Sequence, residues 1–298
     1  MNNIKSFFSI KDLENLSGIK AHTIRIWEKR YNILQPLRTD TNIRLYPLSS
    51  LQKLLNIKLL SDYGYKISKI ATFSELRVQE IVHGIILVKN KENHAINEFK
   101  MAMMNFDQEL FSITYNELCK QKTFREIFYQ VFIPFMQEIG LLWQTDTITP
   151  AHEHFVSSLI IKAIQVNINI AESENIIKTD KVYVLSLPQN EIHELGLMFL
   201  HYEIAAKSCR VIYLGESMPI DNLKELKKHF NSIIYVSYFT IQPEIDSINK
   251  YIATMSSELL GDDTEIWLIG RMVEYIDREA LFSGVKVFES ISELVQNI

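Results

Sequence analysis

Nine glycines and two cysteines in 298 residues leave little room for several kinds of chemistry. Glycine lets a backbone approach a phosphate closely, and neither GxGxxG nor GxxxxGK occurs, which disfavours a conventional dinucleotide or nucleoside triphosphate cradle. Cofactor binding must therefore rest on few positions. Cys119 and Cys209 stand far apart and make no framework or metal pattern, so a reducing setting is expected, with both thiols acting as small buried side chains. No basic, apolar leader opens the sequence, and no uninterrupted apolar run reaches the roughly 18 residues of a membrane helix. A cytoplasmic location with no membrane partner is the expectation.

The composition that remains, 47% apolar and 22% charged, is that of a folded chain long enough for two or three domains. Sixteen Phe and thirteen Tyr point to aromatic-rich packing or to an internal cavity. Charge is unevenly spread. Residues 1–70 hold twelve Lys or Arg against five Asp or Glu, a balance of +7, so the remainder carries -12. A basic head on an acidic body implies that the head meets a polyanion.

Within that head, FSIKDLENLSGIKAHTIRIWEKRYNIL places Ile10, Leu13 and Leu16 before Gly18, then Ile19, Ile24, Trp27 and Tyr31 after it. Two short amphipathic helices around a glycine turn make a helix-turn-helix. Ile24 and Trp27 face the core, which leaves His22, Thr23, Arg25 and Lys29 for a DNA groove or its walls; Arg pairs with guanine edges, while Thr and Lys more often hold phosphates. The segment from Leu37 to Ala71 then reads as a hairpin bearing Arg38 and Arg44, followed by a longer amphipathic helix. With WEKRY ending the recognition helix and R44-L-Y46 in the wing, residues 8–71 resemble the winged helix-turn-helix of the MerR family. The resemblance implies that Arg25 and the wing arginines touch double-stranded operator DNA, that Tyr46 is partly a packing residue, and that the protein binds DNA as a dimer. No sustained heptad follows; the run from Phe73 to Lys120 reads as two helices joined near residues 90–93, so dimerisation is expected on other surfaces.

Residues 122–142 carry a one-sided stripe of Phe124, Phe128, Val131, Phe135, Ile139 and Leu142, interrupted by Pro134, which must be tolerated or kink the helix. A further helix over about 150–170 completes four, enough for a small bundle. In WQTDTITPAHEHF, Trp143 ends one helix, Pro150 opens the next, and Glu153 and His154 lie in its first turn. His152 and His154 are two apart and share no helix face, which argues against a chelating zinc pair.

From Asp180 the period changes. KVYVLSL, CRVIYLG, SIIYVSYF, EIWLIG and GVKVF read as strands alternating with helices, the pattern of a parallel sheet covered on both faces with its ligand site at the carboxyl ends of the strands. His193, Ser237 and Gly270 fall on that rim. The fold class is therefore multidomain, α and α/β: a winged helix-turn-helix over 1–74, a four-helix bundle over 75–174 and a flavodoxin-like parallel sheet over 175–298.

The element E191-I-H193-E-L-G196 resembles the D-x-H-x-x-G loop of cobalamin-binding domains. The preceding helices with Trp143, Glu153 and His154 resemble their helical cap. In this order the three regions resemble the cobalamin-dependent light-responsive repressors. The resemblance implies a cobalamin, adenosylcobalamin or another corrinoid, between cap and sheet, with His193 as the lower cobalt ligand. It also implies Glu191, Gly196, Ser237 and Gly270 around that ligand, and Trp143, Gln144, Glu153 and His154 above it. Two departures stand out. Gln144 replaces the histidine that the photoreceptor group places after the cap tryptophan, and an amide is a poorer cobalt ligand than imidazole. S237-Y-F239 and G270-R271 put Tyr238 and Arg271 where the group keeps small residues, which narrows the slot for the nucleotide tail.

The leading expectation is a transcription regulator, not an enzyme, whose assembly as a dimer or tetramer responds to cobalamin. The alternative keeps DNA binding and uses a degenerate cobalamin domain for a protein partner or another ligand. A corrinoid methyl carrier would have no use for the basic head.

Overall fold

Ser9 starts the first helix through its own side chain. Its hydroxyl accepts from the Asp12 amide at 3.1 Å, and the Asp12 carboxylate accepts from the Ser9 amide at 2.8 Å, so α1 (Ile10–Ser17) begins with two of its exposed donors satisfied reciprocally. Gly18 turns the chain into α2 (Ala21–Tyr31), whose first amide donates to Glu14 Oε2 at 3.0 Å. The computed structural model describes residues 7–39, 42–88, 91–144, 147–174 and 180–298, with residues 79, 83–88, 91 and 144 described by backbone alone. The chain divides into two units, Met1–Leu159 and Ile160–Ile298.

In the first unit the expected wing is present. β2 (Leu37–Arg38) pairs antiparallel with β3 (Arg44–Pro47), placing Arg38 opposite Arg44. A two-residue strand that the sequence pattern does not announce, β1 (Phe7–Phe8), pairs with the other edge of β3 and buries Phe8 completely. α3 (Leu48–Asp62), α4 (Ile67–Ile70) and α5 (Glu75–Val88) follow. Leu13, Leu16, Ile24, Tyr46, Leu51 and Leu54 are fully or almost fully buried and form the core of the head.

The next stretch departs from expectation. Between α5 and residue 120 stand two further helices rather than one, α6 (Lys91–Asn105) and α7 (Gln108–Cys119). Phe106 takes φ 54° and breaks the helix, and Asp107 caps α7 by accepting from the Leu110 amide at 2.9 Å. The Phe106 ring then stacks on His152 at 4.7 Å, so an apolar periodicity that reads as continuous hides a sharp turn.

Pro134 is accommodated by a change of helix type. α8 (Phe124–Ile127) runs into a π-helical turn over Phe128–Phe132, in which the Ile133 amide reaches back five residues to the Phe128 carbonyl, and then into α9 (Ile133–Gln144). Pro134 has no amide to donate, and its ring would crowd the carbonyl four residues earlier; the wider turn removes that conflict. Phe99 packs against Phe111 at 4.6 Å and against Phe132 and Phe135, each at 5.7 Å, so the phenylalanines serve as close aromatic packing.

α10 (Pro150–Glu174) opens on its proline and is the one helix among the described residues long and apolar enough to cross a membrane by length and composition. Its apolar residues include the buried Val156, Ile160, Ile164 and Ile168. Cys119 is exposed at the end of α7, against expectation, whereas Cys209 is buried; both are free thiols.

The second unit is a five-stranded sheet, every neighbouring pair parallel. Its strands are β4 (Val182–Ser186), β5 (Arg210–Gly215), β6 (Ile233–Tyr238), β7 (Thr264–Ile269) and β8 (Val285–Phe288), in spatial order β5-β4-β6-β7-β8. α11 (Leu195–Ala206) contacts α14 (Ile291–Gln296), and α12 (Ile220–Leu223) contacts α13 (Ile248–Leu259), so helices cover both faces. This is the expected flavodoxin-like arrangement. α11 starts at Leu195, which leaves residues 187–194 as a loop. Strand order reverses between β4 and β6, and a crevice outside their carboxyl ends follows from that reversal.

Candidate nucleic-acid interface and cofactor site

On α2 only Ile24 is fully buried; Trp27 and Thr23 are half-buried, and His22, Arg25, Lys29 and Arg30 are exposed. Exposed polar residues thus share the outer face of the second helix with Ile26, and Trp27 is less buried than its spacing implies. Arg38 is exposed at the tip of the wing, with its guanidinium on the Asn42 side chain.

Arg44 is different. Its Nε lies 3.3 Å from Glu28 Oε2, an ion pair that ties β3 to α2. The Tyr46 hydroxyl is buried beside this pair, and burial first, then the Glu28 charge, push its ionisation up to about 12. Wing and recognition helix are thereby joined through a partly exposed ion pair, with Tyr46 buried beside it.

On the sheet rim, Glu191 is 1% exposed and both its oxygens are used. Oε1 accepts from the Ile192 and His193 amides, each at 3.0 Å, and lies 2.5 Å from His193 Nδ1. Oε2 accepts from the Ile241 and Gln242 amides at 2.7 and 2.8 Å. The carboxylate therefore stitches the loop after β4 to the loop after β6 across the strand reversal. Burial alone would raise its pKa, but the amides of Gln242 and Ile241, then the His193 ring and amide, hold it at about 2. The ionised Glu191 engages Nδ1 of His193 and orients the ring, leaving Nε2 outside that contact on a side chain 49% exposed.

The same loop is anchored elsewhere. The Asn190 amide donates to Ser217 Oγ at 3.0 Å, the Ser217 amide to the Glu191 carbonyl at 3.1 Å, and Tyr213 OH to Glu194 Oε2 at 2.9 Å. Glu191, rather than Glu194, is thus the partner of His193. Ile192 and Ile241, 62% and 55% exposed, project from the two loops that Glu191 joins. These residues and the Ile241–Gln242 amides escape a sequence reading, because Glu191 meets them through backbone amides 50 and 51 residues later.

Ser237 is buried, and its hydroxyl donates to the Ser186 carbonyl at 3.0 Å, so it ties β6 to β4 rather than opening onto the rim. Gly270 sits at φ 115°, and a Cβ there would lie 2.4 Å from the Phe239 carbonyl oxygen. Only glycine fits both the torsion and the contact. Gly270→Ala is expected to destabilise the sheet unit by at least about 2–3 kcal/mol, measured as a lower denaturation midpoint of the full chain. Gly196, in the first turn of α11, has its α-carbon covered by the Tyr238 ring, whereas Arg271 is exposed.

In the helical region Trp143 is 46% exposed near the end of α9. Glu153 Oε1 accepts from Ser157 Oγ at 2.9 Å, and its Oε2 lies 3.4 Å from Nε2 of the exposed His154. His152 is buried, with Nδ1 2.8 Å from Thr149 Oγ1, so the two histidines indeed point to different surroundings. Gln144 closes α9, but its side chain lies outside the described residues. No cluster of three or more His, Cys, Asp or Glu able to hold a metal exists among the described residues.

Residues 8–75 match the MerR HTH family regulatory protein model, and residues 95–166 match the B12 binding domain model. The chain thus carries a MerR-type helix-turn-helix and a B12-binding domain. It is 26% identical over 222 residues to the HTH-type transcriptional repressor CarH of Myxococcus xanthus, covering 72% of this chain and 73% of that protein. To CarA of the same organism, also an HTH-type transcriptional repressor, it is 22% identical, covering 70% of this chain and 68% of that protein. The monomethylamine corrinoid protein of Methanosarcina barkeri shares the fold over 69% of this chain and 97% of its own, with a TM-score of 0.57 and 14% identity.

Proposed function

We propose that this regulator is a repressor that binds operator DNA through α2 and the wing, and that a corrinoid alters its assembly and hence its DNA affinity. It needs no catalysis, because a ligand that favours one assembly shifts the equilibrium by its differential affinity alone. The observation that carries the reading is the Glu191–His193 pair: a buried, ionised carboxylate fixing Nδ1 of a loop histidine whose Nε2 is left available. His193 would hold the metal through Nε2, and the exposed Ile192 and Ile241 offer apolar contact to a macrocycle. When bound, a corrinoid carrying an alkyl group would supply a light-sensitive metal–carbon bond. Trp143, Gln144, Glu153 and His154 are assigned to its upper side on the resemblance alone. The segments 1–74, 75–174 and 175–298 act in this reading as head, cap and base. DNA is the partner, a homo-oligomer the working form and the cytoplasm its place.

Absorption spectra and size-exclusion profiles of the full chain with adenosylcobalamin, methylcobalamin and hydroxocobalamin, each in darkness and after illumination, test the proposal. The expected result is a bound corrinoid whose spectrum changes in His193→Ala, with an altered or absent stable light-adapted state because Gln144 stands where the resemblance implies imidazole. A wild-type spectrum identical to that of free corrinoid would reject it. The second reading, a degenerate domain serving another ligand or a protein partner, gains support from the Tyr238 ring packed on Gly196.

A further inference from the structure

Tyr238 ends β6, beside the loop that carries His193. A Cβ added to Gly196 would stand 2.6 Å from Cζ, 2.8 Å from Cε2 and 3.0 Å from the hydroxyl of that tyrosine. Its phenol therefore fills the space between the carboxyl end of β6 and the first turn of α11, three residues from His193. The surrounding backbone has little freedom to reopen that space. Glu191 binds the amides of Ile241 and Gln242, Ser217 accepts from the Asn190 amide and donates its own amide to Glu191, and Tyr213 holds Glu194. Only the Tyr238 side chain, with its two rotatable bonds, can move without dismantling the loop.

A cobalamin carries, on the lower side of its ring, a nucleotide tail that ends in a benzimidazole. If His193 takes the lower position at the metal, that base must leave it and lie on the same side, next to His193. A flat bicyclic base needs the kind of space that the phenol already occupies. We propose that Tyr238 is a plug on the tail site, so that this protein selects corrinoids by their lower tail. A corrinoid without the nucleotide, such as cobinamide, binds through His193 and displaces nothing, whereas complete cobalamin must first drive the ring out. The inference rests on the reading that His193 faces a corrinoid, and goes beyond it by naming which corrinoids the site prefers.

The test is a titration of the full chain with aquocobinamide and with hydroxocobalamin in dim light, followed by absorption and by retention through gel filtration. Expelling a partly buried aromatic weakens binding by roughly 10- to 100-fold, so the wild-type protein is expected to bind cobinamide tighter than cobalamin by that factor. This comparison needs no variant to fold. Tyr238→Ala is expected to recover most of the factor for cobalamin and to leave cobinamide within about threefold, within the scatter of an uncoupled substitution. Tyr238→Phe, which keeps the plug, is expected to behave as wild type. Equal wild-type affinity for the two corrinoids, with His193 bound to both, overturns the plug and leaves the corrinoid reading standing. No binding of either corrinoid to wild type or Tyr238→Ala removes the corrinoid reading, and the plug with it.

Discussion

Glu191→Gln is expected to lower the unfolding temperature of the sheet unit, measured in the full chain by calorimetry, by roughly 5–10 °C, or about 3 kcal/mol. The substitution preserves shape but places an amide NH2 against donors whichever way it turns. One oxygen faces the Ile192 and His193 amides and the His193 ring, the other the Ile241 and Gln242 amides. Unsatisfied buried donors carry the desolvation cost in full. The pH dependence gives an independent reading. Because the folded carboxyl is depressed from 4.5 to about 2, its contribution is present above pH 4.5 and is lost as pH falls towards 2. The wild-type chain should therefore lose up to about 3 kcal/mol across that window, while Glu191→Gln loses none of that share. Equal acid sensitivity of the two proteins would show that the carboxylate is not ionised at this junction. Loss of the His193 spectral signature in a still-folded Glu191→Gln protein would further mark Glu191 as the residue that positions the ring.

Much of this arrangement was legible beforehand, for reasons that differ from element to element. The helix-turn-helix could be read because Ile24, Leu13 and Leu16 recur at helical spacing around a glycine turn, and the parallel sheet because short apolar strands alternate with amphipathic helices. The break at Phe106 was hidden because the hydrophobic pattern runs on through it, and the residue that signals it, Asp107, is an acid that equally suits a solvated face. The role of Glu191 beyond His193 was hidden for another reason. Its partners at Ile241 and Gln242 are backbone amides, which leave no trace in side-chain identity. Tyr238 could be recognised as large where a resemblance implied small, but not that its ring lies on Gly196 rather than outward, as Arg271 does. Contacts made by backbone and by packing geometry are set by the tertiary fold, and residue type alone does not encode them.

Operator binding should separate Arg25, Lys29 and Arg44 in three different ways. Arg25 is exposed on the outer face of α2, and a bidentate guanidinium on a base edge discriminates by about 1–3 kcal/mol per contact. In a symmetric dimer the contact occurs twice, so Arg25→Ala is expected to weaken specific binding by roughly 30-fold to 20,000-fold in a mobility-shift titration, with a smaller loss on unrelated DNA. Lys29→Ala should weaken both DNAs alike and reduce the salt dependence of binding by about one counterion per copy. Arg44 acts through its ion pair with Glu28, next to the buried Tyr46. Arg44→Ala leaves that carboxylate without its cation in a buried setting, so the expected loss is about 1–3 kcal/mol of head stability, with DNA affinity falling because the wing no longer holds its angle to α2. Glu28→Gln, which touches no DNA in this scheme, should relieve part of the stability loss when combined with Arg44→Ala, because it removes the uncompensated charge. If the double variant instead loses DNA affinity with full stability, Arg44 contacts the operator directly and the bracing role is wrong. If Arg25→Ala binds operator as wild type does, α2 is not the helix that reads the groove.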